Sequence, residues 1–158
     1  MAESKSLTYD FPAVSGQQVR SLLQALHDRP DAFPADLIYE LGENDTDRGR
    51  LMKLLLDLGL VDEEGLYTPY LAAYRSGDDE ARQQVLHECV AALYRPLFDE
   101  IPNARSAGRY RAPGVSAWFY EHVRPYSELA ATTFQALSKL GGRTCLAQRR
   151  RGPGPGVP

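Results

Sequence analysis

His87 and Cys89 form the first pair in this chain that could bind a metal. They stand two apart in a helical pattern, so their side chains diverge by roughly 200° at 3.6 residues per turn. No second pair at ligand spacing accompanies them, as a zinc site would require. Asp45 and Asp47 resemble a cation-holding carboxylate pair, but Thr46 between them reads better as a helix cap. His27 beside Asp28, and His122 beside Glu121, have the residue types of acid–base dyads. Both lie near helix ends, where a cation is welcome, and read as surface positions. The chain has no G-x-S-x-G elbow, no H-E-x-x-H pair and no glycine-rich phosphate loop. These residues therefore give no catalytic site, metal site or cofactor site. No enzyme activity is expected, and no small-molecule substrate is evident.

Binding chemistry has better material. Arg48, Arg50 and Lys53 fall on one helical stretch, with Arg50 and Lys53 sharing a face at i, i+3. They could meet phosphates, but Glu43, Asp45, Asp47 and Asp57 surround them. Residues 17–75 hold six bases and eleven acids, a net charge of −5. A solvated face with local ion pairs outweighs the phosphate reading. Arg105, Arg109, Tyr110 and Arg111 lie in a loop with no acid between Glu100 and Glu121. Arginines interleaved with an aromatic can hold a phosphate backbone or an unstacked base, although a solvated loop is the simpler account. Trp118, Phe119 and Tyr120 are consecutive, so they cannot all face one side of a helix. At least one is expected at the surface, and Trp118 is a candidate partner contact because exposed aromatics favour interfaces.

The elements that must position these residues follow from periodicity. Residues 1–14 read as a flexible arm in which Tyr9, Phe11 and Pro12 could dock. Ser15 and Gln18 make a capping-box pattern before a helix with Val19, Leu22, Leu23 and Leu26 on one face. Pro34 opens a second helix and Gly42 stops it. Leu51, Leu54, Leu55 and Leu58 mark a third helix from Asp47, and their spacing predicts a core stripe. Residues 60–68 read as two short strands around Gly65. Asp78 caps a long helix to about Glu100, with a kink or break expected at Pro96. Two further helices follow, one from about Ser116 and one from Tyr126 to Leu140, stopped by Gly141 and Gly142. Residues 141–158 are rich in Arg, Gly and Pro and read as a disordered tail.

Composition bounds the rest. The chain has 158 residues and 43% apolar content, enough for one domain with a real core. That domain is expected over residues 15–140, as a winged-helix-like part at 15–75 and a helical layer at 78–140. No apolar run spans a membrane, the start lacks a signal-peptide pattern, and Cys89 and Cys145 make no disulfide framework. A cytoplasmic protein is expected. Only Lys5, Lys53 and Lys139 are lysines, an arginine bias that fits a bacterium with a GC-rich genome. Net charge is −3 for the whole chain. The last eighteen residues carry four arginines and no acid, so the body before them stands at −7 (−3 less +4). An acidic body argues against broad phosphate binding.

Leu58-Gly59-Leu60-Val61-Asp62-Glu63-Glu64-Gly65-Leu66-Tyr67-Thr68-Pro69-Tyr70, then Tyr94, then Ala131-Thr132-Thr133-Phe134-Gln135-Ala136-Leu137, resemble a bacterial family known as domain of unknown function 5343. The resemblance covers about Ser15–Leu140. It implies a winged-helix-like core and no catalytic residues. The reading is a mainly α fold with a two-stranded wing and a C-terminal helical layer. Its expected role is non-catalytic binding in a bacterial regulatory setting, to a protein partner or a second copy, with a DNA-binding winged-helix regulator as the first alternative and an enzyme of unknown type as the last.

Overall fold

The computed structural model describes residues 8–101 and 114–151. Eight helices account for most of them: α1 Gly16–Asp28, α2 Pro34–Leu41, α3 Asp45–Leu58, α4 Pro69–Ser76, α5 Asp79–Leu93, α6 Arg95–Glu100, α7 Val115–His122 and α8 Ser127–Arg151. The long α8 packs along α5 and also meets α1 and α7, while α2 packs on α1 and α3, and α3 on α1 and α5. The fold is mainly helical, as the periodicity indicates.

Local chemistry explains the boundaries. Ser15 caps α1 by accepting from the Gln18 N–H at 3.2 Å. Pro34 occupies the start of α2, where its missing N–H costs nothing. Gly42 ends α2, and a Cβ there would lie 2.6 Å from Arg48 Cγ, so only glycine allows this close α2–α3 turn. Asn44, not Thr46, caps α3: its Oδ1 accepts from the Asp47 N–H at 2.9 Å. Asn is the stronger cap, so the helix begins two residues earlier than Thr46 would allow. The α3 leucines Leu51, Leu54, Leu55 and Leu58 are all buried. Asp78 caps α5 through the Ala81 N–H. The expected break occurs at Tyr94, which places Pro96 in the first turn of α6.

Three expectations need correction. The two-stranded wing is absent among the described residues; Val61 and Tyr67 form a single antiparallel bridge. Asp62 Oδ1 takes the N–H groups of Glu64 and Leu66, at 2.9 and 3.0 Å, and reinforces the backbone bonds from Asp62 N–H to the Leu66 carbonyl and from Thr68 N–H to the Leu60 carbonyl. Gly65 supplies the left-handed residue that this turn requires, at φ 85°. The arm is docked rather than free from Tyr9 onward, in the way that Tyr9, Phe11 and Pro12 allow. Phe11, Ala13 and Val14 are buried. Tyr9 bridges to the α7–α8 connection, donating to the His122 carbonyl at 2.7 Å and accepting from the Arg124 N–H at 3.0 Å. Apolar side chains that find a groove offset the entropy of ordering a short segment. Lastly, α8 runs through Gly141 and Gly142 to Arg151 instead of stopping at Leu140. Glycine within a helix costs about 1 kcal/mol, a penalty that good helix formers such as Leu146, Ala147 and the following arginines reduce in effect but do not remove. Residues 1–7 and 152–158 lie outside the described residues.

The core has an aromatic centre. Phe11 meets Tyr94 edge-on at 4.9 Å, and Tyr94 meets Phe134 edge-on at 4.8 Å. Phe119 packs on Phe134 at 5.6 Å. Thr133 lies fully buried beside them. Its hydroxyl accepts from the Val14 N–H at 2.7 Å and has the carbonyls of Val14 and Leu129 at 2.7 and 2.9 Å. The Tyr94 hydroxyl is buried with no hydrogen-bond partner. These two hydroxyls predict opposite mutational signs. Thr133→Val strands Val14 and should cost about 1–3 kcal/mol, whereas Tyr94→Phe should be neutral or stabilising. Urea denaturation of both variants checks the pair, with the exposed Thr132→Val expected within about 0.5 kcal/mol of the parent.

Candidate functional site

The cations of α3 are all engaged within the molecule. Arg48 lies over the Tyr39 ring at 4.1 Å and reaches Asp45 at 3.5 Å. Arg50 lies over the Tyr126 ring at 4.7 Å. Lys53 bonds Asp57 at 2.8 Å and stands 3.6 Å from Asp10. Lys53 therefore ties α3 to the docked N-terminal segment. Arg48 and Arg50 are two apart on a helix, so they lean to opposite sides of α3. Each is covered by a tyrosine that is itself exposed, Tyr39 at 66% and Tyr126 at 58%. An acid-rich helix edge flanked by two exposed tyrosines results.

Tyr126 adds an unusual backbone. It is the non-glycine residue with positive φ, at 60°, among the described residues. A bulky residue in the left-handed region costs on the order of 1–3 kcal/mol and persists only where the surroundings hold it. Here α8 follows at once and Arg50 stacks on the ring. A third pair repeats the pattern on another face: Arg75 lies 5.5 Å from the Tyr67 ring. The same guanidinium donates to the carbonyls of Leu26 and Ala32, at 2.9 and 2.6 Å, closing the C-terminal end of α1. Arg75 is a structural residue that the sequence reading overlooked. An arginine in the last turn of α4 gave no sign that the end of α1 would lie beside it.

Trp118 is not a surface contact. It is only 5% exposed and stacks against Tyr9 at 5.8 Å and Phe11 at 6.1 Å. Docking of the N-terminal segment covers it. Of the three consecutive aromatics, Tyr120 is the one at the surface, 71% exposed. Arg105, Arg109, Tyr110 and Arg111 lie outside the described residues.

The reactive-looking residues stay apart. Among the described residues, no group of three or more His, Cys, Asp or Glu side chains could hold a metal ion. No helix of the described residues is long and apolar enough to cross a membrane. His27 meets Asp28 at 3.3 Å in an exposed position, and His122 packs on the Trp118 ring at 4.9 Å. Cys89 is buried, and burial, with Glu88 adding to it, pushes its thiol pKa up to about 12.

The chain matches no family model, no curated protein and no solved structure.

The Cys89 environment predicts a thiol that reacts only after opening. In a Cys145→Ser background, a thiol reagent at pH 8 should modify Cys89 no faster than the protein unfolds. The pH sign follows from the raised pKa. Above the ordinary thiol value near 8.5 the unfolded chain ionises first, so stability should fall by up to about 1.4 kcal/mol per pH unit as pH rises toward the folded value. Denaturation at pH 8 and pH 10, compared with Cys89→Ala, checks it.

Proposed function

We propose that this protein is a non-catalytic binding module whose working surface is the exposed part of α3 between Tyr39 on one side and Tyr126 on the other. Its partner is a protein surface, with a second copy of the chain as the first partner to test. The carrying observation is the pairing of exposed tyrosines with arginines, Tyr39 with Arg48 and Tyr126 with Arg50. Tyr and Arg dominate the energetics of protein interfaces because they bury large area at low conformational cost. The strained backbone of Tyr126 points the same way, since strain is retained where a side chain must be presented.

The same face is where a winged-helix-like protein would place its recognition helix. The order α1, α2, α3 and hairpin turn supports that reading, as do the residues that resemble domain of unknown function 5343. A bacterial, cytoplasmic setting is part of the proposal. DNA binding is the second reading. It is favoured by the arginines of α3 but opposed by Asp45, Asp47 and Asp57 beside them. Exposed ion pairs are worth only about 0–1 kcal/mol each, so phosphates could displace them. Repulsion from the surrounding acids is the larger obstacle within a Debye length of about 8 Å.

Two measurements separate these readings. Sedimentation velocity of the full chain should show self-association that changes little with salt, and Tyr126→Asn should weaken it without lowering thermal stability, because Asn tolerates positive φ. Anisotropy with duplex DNA should show no sub-micromolar binding at low salt. Tight binding that falls steeply with added salt, and falls further in Arg50→Ala, would replace the protein-partner reading with the DNA one. A monomer that also ignores DNA would remove both copies and duplexes as partners.

A further inference from the structure

Residues of four helices line a small cleft that shares no lining residue with the Tyr39–Arg48 and Tyr126–Arg50 pairs. Its apolar walls are Leu23 of α1, Tyr74 of α4, Leu86 of α5 and Leu140 of α8, and its volume is about 160 Å³. Two cations, Arg20 of α1 and Arg82 of α5, line it as well, and among the described residues no acid does. A cleft of this size takes a body about as large as benzene, which occupies an engineered cavity of roughly 150 Å³.

The arginines are held in a suggestive state. Arg82 is largely covered, with a side-chain exposure of 18%. One Nη is bonded to Asp79, and the guanidinium lies 5.9 Å from the Tyr74 ring. Its Nε is buried with no hydrogen-bond partner. A guanidinium in the wall of an apolar cleft suits a carboxylate, because charge-assisted bonds are the strong ones and planar forks favour planar anions. Arg20 brings a second positive charge to the same cleft. The Tyr74 hydroxyl is already spent on the Leu23 carbonyl at 3.2 Å, so Tyr74 offers its ring to the cleft rather than a free hydroxyl.

We propose that this cleft binds a small organic carboxylate with an aromatic or branched aliphatic body. The body sits on Leu23, Tyr74, Leu86 and Leu140, and the carboxylate accepts from the guanidinium groups of Arg82 and Arg20 that line the cleft. The inference is independent of the partner surface on α3, and either can fail without the other.

Calorimetric titration of the full chain tests it with three probes. Benzoate carries the charge and the ring, benzyl alcohol the ring without the charge, and inorganic phosphate the charge without the ring. Benzoate is expected to saturate in the millimolar range or tighter, with the other two at least about tenfold weaker, the loss of one charge-assisted contact or of the buried ring. Arg20→Ala removes an exposed side chain and should fold normally; it should weaken benzoate at least about fivefold. Arg82→Gln should weaken it more. Equal binding of benzyl alcohol would overturn the role of the arginines. Equal binding of phosphate would overturn the role of the apolar walls. No saturation by benzoate, or unchanged affinity in Arg20→Ala, would overturn the site.

Discussion

Thr133 is the buried polar side chain on which the rest of the core depends. Its single hydroxyl serves both backbone groups of Val14, a residue 119 positions away. An extended segment entering a helical core brings N–H and C=O groups that no helix will satisfy, and each such group left unpaired costs about 1–3 kcal/mol. Thr133 removes that penalty at the deepest point. With Val14 anchored, Phe11 reaches Tyr94 and Phe119, and Tyr9 pairs with the connection between α7 and α8. The first described residues thereby join the N-terminal helices to the C-terminal ones. The helical layer and the α1–α4 part share one core.

That closure also decides what remains at the surface. It covers Trp118 and brings Asp10 beside Lys53. The α3 cations are then each matched within the chain, and Tyr39 and Tyr126, together with Leu56 of α3 itself, remain as large exposed groups there. A surface of tyrosines and acids suits a protein partner better than a polyanion. The small cleft between α1, α4, α5 and α8 has the opposite character, with arginines over apolar walls.

Much of the helical architecture was legible in the sequence. Val19, Leu22, Leu23 and Leu26, and the four leucines of α3, are strongly periodic and all are buried. Ser15 and Asp78 act as caps, and the break before Pro96 follows from its missing N–H. Long-range partners were not legible. The aromatics of Tyr9–Val14 allow docking but do not say where, and periodicity puts Thr133 on the face of Ala130 and Leu137 without showing that Val14 is its partner. The residues around Gly65 suggested strands, but a single bridge, a few backbone bonds and the Asp62 carboxylate close the turn. Of the expected contact residues, Trp118 failed because its cover comes from the far end of the chain. Arg48, Arg50 and Lys53 were rightly read as lying among acids, but their tyrosine covers depend on where α2 and α8 fall.

The central claim is that the chain's first described residues are part of the core. Hydrogen exchange at the Val14 amide tests it most directly. The account predicts that Val14 exchanges only through global unfolding, as slowly as the amides of Leu22 and Phe134. Exchange at the rate of a surface loop, while those amides stay protected, would contradict it.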